Sequence, residues 1–205
     1  MAGMRSLGDI LDVIIEPRYD TATILAAGTL SLTYFAIPIG QGATNFGAAT
    51  VTKQLADTNM DLAGQLPAGY NFLITGFRVQ PAFGLTAVDA QTWSAGGVLA
   101  FTIGSKPFLR VPLDTIPAGC GPAGAVAVAV GGAPLEQHAF SHGAALLSNG
   151  YVIARKPLEL AQTQNFSVIL SWVTVKPVTT TVPGQAAAGL PVRVYMDGWL
   201  KRIVQ

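Results

Sequence analysis

Between residues 98 and 113 the chain reads VLAFTIGSKPFLRVPL, two alternating apolar runs that meet at Gly104-Ser105. Leu99, Phe101 and Ile103 share one face of the first run, and Gly104 opens a primed two-residue turn without steric cost. On the return run Phe108 and Arg110 point one way, while Leu109, Val111 and Leu113 point the other. Such a hairpin is marginal alone and must bury its apolar face against a second layer, so the rest of the chain has to supply sheet. Composition agrees: 23 Gly and 13 Pro punctuate short runs of Ala, Val and Leu, and 205 residues suit one β-sandwich with a core of its own.

Taken in order, residues 6–16 have the spacing of an amphipathic helix. Ser6 caps it, Asp9 follows three residues later, and Leu7, Ile10, Leu11 and Ile14 fall on one face before Pro17 limits continuation. This segment, residues 1–17, either packs over an open end of the sheet or docks as an arm on a neighbouring subunit or another apolar surface. Residues 18–205 form the sandwich domain. Within it residues 25–39 supply a strand or two, and 40–60 read as a long loop with a short strand near 50–55. Residues 70–80 are a strand with apolar groups on both faces, where Phe72, Ile74 and Gly76 alternate with Leu73, Thr75 and Phe77. Residues 117–150, rich in Ala and Gly, are an insertion between strands. Residues 151–160 and 165–175 are further strands, and VRVYM and WLKRIV flank Asp197-Gly198 as a second hairpin. Lys106-Pro107 marks a protected sheet edge, because proline removes a ladder donor and lysine discourages foreign pairing.

Charge restricts the partners. With 12 basic and 11 acidic residues the net charge is +1, which leaves no cationic footprint for a polyanion, so strong nucleic-acid binding is not expected. Only 11% of residues are charged, against about 25% for an average soluble domain, so something besides water covers part of the surface. The single cysteine, Cys120, excludes an internal disulfide framework and a cysteine-based zinc site. Residues 21–52 carry no charge, but Gly28, Pro38 and the alternating Thr29, Ser31 and Thr33 favour strand over a membrane-spanning helix. No secretory leader is visible in the first fifteen residues, which include Asp9 and Asp12.

No motif carries catalytic chemistry. Gly119-Cys120-Gly121-Pro122-Ala123-Gly124 has the letters of a dinucleotide fingerprint, but Pro122 removes a donor from the loop and the following AVAVAV alternates like a strand. His138 and His142, with Glu136 nearby, lack the third ligand of a catalytic zinc site and read as a solvated loop pair. Asp57 and Asp61 read as loop-capping groups rather than a glycosidase pair. Asn165-Phe166-Ser167 matches a glycosylation acceptor but opens a strand. No catalytic, cofactor or metal site is therefore expected.

The segments LPAGYNFLITGFRV, VLAFTIGSKPFLRVPL, NFSVILSW and VRVYMDGWLKRIVQ, in this order with long loops between, resemble the jelly-roll coat proteins of tailless icosahedral phages. The resemblance implies an all-β fold, a single jelly-roll β-sandwich of two facing antiparallel sheets and about eight strands, with a short N-terminal helix and long loops. It implies a structural virion protein, made in the host cytoplasm, that assembles with itself into trimers or pentamers of an icosahedral shell, with no enzyme activity. Leu7, Ile10, Leu11 and Ile14 of the arm, and Arg110, are the expected assembly contacts. Coat proteins that touch genome commonly carry a basic arm, whereas residues 6–16 are acidic and apolar. Other capsid proteins or an internal membrane fit beneath such a shell instead. A non-catalytic binding module, adhesin-like or carbohydrate-binding with Trp93, Tyr70 or Trp199 as a stacking platform, is the competing reading.

Overall fold

The computed structural model of the chain describes residues 11–44, 50–81, 89, 93, 95–116, 124–128, 136–140, 151–152, 157–179 and 189–203. The fold is all-β. In chain order the strands are β1 (Leu11–Ile15), β2 (Arg18–Leu25), β3 (Thr29–Tyr34), β4 (Gly42–Thr44), β5 (Thr50–Thr52), β6 (Tyr70–Pro81) and β7 (Gly97–Ile103). They continue with β8 (Lys106–Pro112), β9 (Gly124–Val128), β10 (Glu136–Phe140), β11 (Tyr151–Val152), β12 (Leu158–Leu160), β13 (Phe166–Lys176) and β14 (Gly189–Ile203).

Two antiparallel sheets carry the fold. In the larger, β1 and β2 lie beside β14, β14 beside β6, and β6 beside β11 and β12; in the smaller the order is β3-β13-β7-β8. The pairs β4·β5 and β9·β10 stand apart as small two-stranded ribbons. The pairing is nested: β7 joins β8, β6 joins β11 and β12, β3 joins β13, and β1 with β2 joins β14. Between the sheets, Phe77 of β6 meets Phe101 of β7 at 5.2 Å between ring centroids, and Phe166 of β13 lies 5.6 Å from Phe35 and 6.4 Å from Phe101. Each ring is buried, and burying one stabilises the fold by about 1.5–3 kcal/mol.

The hairpin of residues 98–113 forms as its alternation dictates. Ile103 and Lys106 pair across Gly104-Ser105, with Gly104 at φ +59°. Leu99, Phe101, Val111 and Leu113 are buried, whereas Phe108 and Arg110 are exposed. The register shifts so that Phe101 pairs with Leu109 and Thr102 with Pro107, leaving Phe108 as the extra residue of a bulge. β8 is an edge strand, and Lys106-Pro107 stands at its start.

Two expectations are corrected. Residues 11–15 are strand, not helix, pairing from Leu11↔Ile203 to Ile15↔Trp199. The ladder resumes at Arg18↔Met196, three residues further along each strand, so β1 and β2 keep one register across Glu16 and Pro17. Val13, Ile14 and Ile15 are consecutive β-branched residues, which lose rotamer freedom in a helix and pack well on a pleated surface. The remainder of the expected helix, with Leu7 and Ile10, lies outside the described residues.

The second correction concerns Asp197-Gly198, which is not a turn. β14 runs straight through it, and the irregularity is a bulge: Asp197 pairs with Gly76 and Gly198 with Ile74, leaving Thr75 of β6 extra. The Thr75 hydroxyl donates to the Asp197 carbonyl at 3.1 Å. This bulge resets the alternation of β6, so Phe72 and Ile74 before it and Phe77 and Val79 after it are all buried. Phe77, expected on the face opposite Phe72 and Ile74, is thereby brought to theirs, while Leu73 stays on the other. Gly198 is required by close approach, since a Cβ there would lie 2.0 Å from the Leu73 carbonyl oxygen.

Candidate functional site

Three features concentrate the chemistry of the described residues, two on the sheet faces and one inside. On the outer face of the larger sheet, register places Ile15, Trp199, Leu73 and Glu159 in one row across four strands. Ile15 is 81% exposed and Trp199 43%, and Val13 stands exposed one row away beside Lys201. The free edge of β2 is covered: Asn59 Oδ1 accepts from the Tyr19 N–H at 2.9 Å, and Thr58 bridges Asp20. β1 has no strand on that side among the described residues and carries neither Lys nor Pro, the usual guards of an open edge.

Further along the same face, polar groups are tied to one another. Arg78 makes a bidentate ion pair with Asp197 at 2.6 and 2.7 Å, and its guanidinium lies 4.3 Å from the centroid of the Tyr195 ring. Arg193 lies over Tyr19 at 5.5 Å, bonds Thr21 Oγ1 at 3.0 Å and donates to the Ala56 carbonyl at 2.5 Å. The two tyrosine rings are therefore already stacked by cations, which leaves Trp199 as the open aromatic of this face among the described residues.

On the smaller sheet, Arg110 of β8 pairs with Ala100, Ala100 with Ile169 and Ile169 with Thr33. The adjacent row is Pro112, Val98, Ser171 and Ser31. Arg110 is exposed on this face of small apolar and hydroxyl groups, and the four strands contain no acidic residue. Where β13 outruns β3, the register jumps between Ser171 and Lys176; Val173, 87% exposed, and Val175 lie in the intervening stretch, and Leu30 of β3 is exposed as well.

The buried feature is a cluster around Asp20 of β2. Its Oδ1 accepts from Lys53 Nζ at 2.5 Å and its Oδ2 from the Phe35 N–H at 2.6 Å. Asp20 and Lys53 are both buried. Phe35 sits at φ +65°, a left-handed conformation costly for a bulky residue and held here by the Asp20 carboxylate and by Gly64, whose N–H donates to the Phe35 carbonyl at 2.7 Å. Burial raises the Asp20 pKa, against lowering by the Lys53 charge and by the hydrogen bonds from Lys53 and Phe35. Tyr34, wholly buried, has a hydroxyl without a hydrogen-bond partner among the described residues; burial, then the Asp20 charge, pushes its pKa well up.

The expected contact residues are only partly brought together. Leu11 and Ile14 lie on β1, where Ile14 turns inward against the core and Val13 and Ile15 present the exposed face. Arg110 is exposed on the other sheet. Trp93 is core rather than a stacking platform, its carbonyl accepting from Trp172 Nε1 at 2.6 Å. Asp57 caps its loop, accepting from the Gln54 N–H at 2.9 Å. His138, expected in a loop, is in β10, whereas His142 and Cys120 lie outside the described residues. No three His, Cys, Asp or Glu residues gather as a metal site among the described residues, and no helix there is long and apolar enough to cross a membrane.

Asp20 and Lys53 were not singled out by sequence reasoning, although one signal was present: they are the two charges that bound the uncharged stretch 21–52. No protein-family model matches the chain, and no curated protein matches it.

Proposed function

We propose that the chain is a structural shell subunit, a single jelly-roll sandwich that assembles with copies of itself through its sheet faces and the open edge of β1. The fold reading is supported by the nested pairing. With β1/β2 counted as first, β11/β12 as sixth and β14 as eighth of the strands in the two sheets, the sheets run 1-8-3-6 and 2-7-4-5, a rolled antiparallel ribbon. The observation that carries the functional reading is the exposed pair Ile15 and Trp199, with half-buried Leu73 next in their row, beside an unguarded edge strand, together with exposed Leu30, Val173 and Val175 on the smaller sheet. Large apolar groups gathered in patches mark contact surface rather than solvent-washed sheet. Arg110, on an acid-free sheet, takes a carboxylate from the neighbouring subunit.

Light scattering and electron microscopy of the purified chain test this. Closed shells, trimers or pentamers are expected, and Ile15→Asp or Arg110→Glu should yield smaller species with an unchanged β-sheet circular dichroism spectrum. A wild-type chain that stays monomeric at high concentration overturns the proposal. The exposed Trp199 favours a second reading, a glycan-binding sandwich, and glycan retention by such a monomer that is lost on Trp199→Ala would decide for it.

A further inference from the structure

We propose that Lys53 and Asp20 condense into an intramolecular amide that staples the outer strand β2 to the segment following β5. The two groups meet inside the protein: Lys53 Nζ lies 2.5 Å from Asp20 Oδ1, and both side chains are at most 3% exposed. Each partner is held from its own backbone. Lys53 is fixed at the base of the β4·β5 ribbon by its N–H to the Gln41 carbonyl and its carbonyl to the Gly40 N–H, each at 2.9 Å. Asp20 is fixed in β2, with the Phe35 N–H on its second oxygen at 2.6 Å. A nucleophile and a carboxyl held in this way react as one molecule, and the absence of bulk water removes the competing hydrolysis.

The atoms balance without a co-reactant. In a desolvated pair the ammonium returns one proton to the carboxylate, giving neutral amine and neutral acid, the form burial favours. Nζ attacks Cγ, and the Phe35 N–H stabilises the negative charge that develops on Oδ2. A second proton leaves nitrogen for the departing hydroxyl, so that the Cγ–Oδ1 bond breaks and one water is released.

Mass spectrometry of the intact full chain under denaturing conditions tests the bond, with an expected mass about 18 Da below that of the sequence. Trypsin then supplies the location. Residues 19–78 contain no Lys or Arg other than Lys53 and the terminal Arg78, and an acylated Lys53 is not cleaved. The staple therefore yields one dehydrated peptide spanning 19–78, and Lys53→Arg restores full mass. An intact mass equal to the sequence overturns the proposal, leaving Asp20 and Lys53 as an ordinary buried ion pair. So does a water loss accompanied by free cleavage after Lys53, which places the loss elsewhere, as in a succinimide.

Discussion

Replacing Gly198 by Ala separates a strand that bulges from a hairpin that turns. A Cβ at 198 would lie 2.0 Å from the Leu73 carbonyl oxygen, 2.9 Å from the Leu73 carbonyl carbon and 3.0 Å from the Phe72 ring. A carbon rests against a carbonyl oxygen at about 3.3 Å, so β6 has to retreat by about 1.3 Å at this point. That movement weakens the flanking ladder bonds, each worth about 1 kcal/mol, and displaces buried Phe72 at a repacking cost of about 1–3 kcal/mol. Together the loss is about 3–5 kcal/mol, which in a chain of this size lowers the melting temperature by about 6–20 °C. Gly104→Ala is the control: its φ of +59° makes a side chain costly by about 1–2 kcal/mol, but nothing lies within 4 Å of the added Cβ. Urea unfolding followed through tryptophan fluorescence ranks the two variants. If Gly198→Ala costs no more than Gly104→Ala, β14 does not run unbroken past β6 and the bulge reasoning fails.

Two further outcomes follow from buried polar groups. The Tyr34 phenol has its pKa raised by burial, so stability associated with its protonated form is complete below about pH 10, the unfolded value, and is lost as pH rises through the folded one. Tyr34→Phe should therefore leave stability unchanged or improved at pH 8 and flatten the alkaline decline; urea midpoints at pH 8 and pH 11 with the same slope in both proteins would contradict this. Trp172→Phe removes the donor to the buried Trp93 carbonyl, and calorimetry should show a loss of about 1–3 kcal/mol, with no loss meaning that the bond is dispensable.

The parts of the fold legible in the sequence are those written in local alternation. Residues 98–113 form their hairpin because the turn residue and both apolar faces are specified within sixteen positions. Asp197-Gly198 misleads because the same two letters serve a turn and a bulge; the difference lies in Leu73 and Thr75, more than a hundred residues away. Residues 11–15 mislead for another reason. Leu11 and Ile14 fit a helical face, while Val13 and Ile15 fit the outward face of a strand, and the arbiter is the backbone of β14 at the far end of the chain. Likewise Arg110 was readable as outward from its own strand, but the acid-free row beside it required the order β3-β13-β7-β8. Asp20 and Lys53, 33 residues apart, are joined only by tertiary structure.

The nested pairing also sets an order of formation. Joining β7 to β8 closes a two-residue turn, whereas joining β1 to β14 brings together Leu11 and Ile203, nearly the whole chain. Loop closure must be met entropically before long-range pairing returns any energy, so the ribbon forms from the β7·β8 tip and its open end docks last. Truncating a buried residue at the tip should then slow folding, and truncating one at the open end should speed unfolding. Val111 of β8 and Val194 of β14 are matched for this purpose, since both are valines buried in the same core. In chevron kinetics Val111→Ala should act mainly on the folding limb and Val194→Ala mainly on the unfolding limb, each with about 1–3 kcal/mol of destabilisation to apportion. The reverse assignment would mean that β14 pairs before the tip closes, and local closure would no longer govern how the sandwich is built.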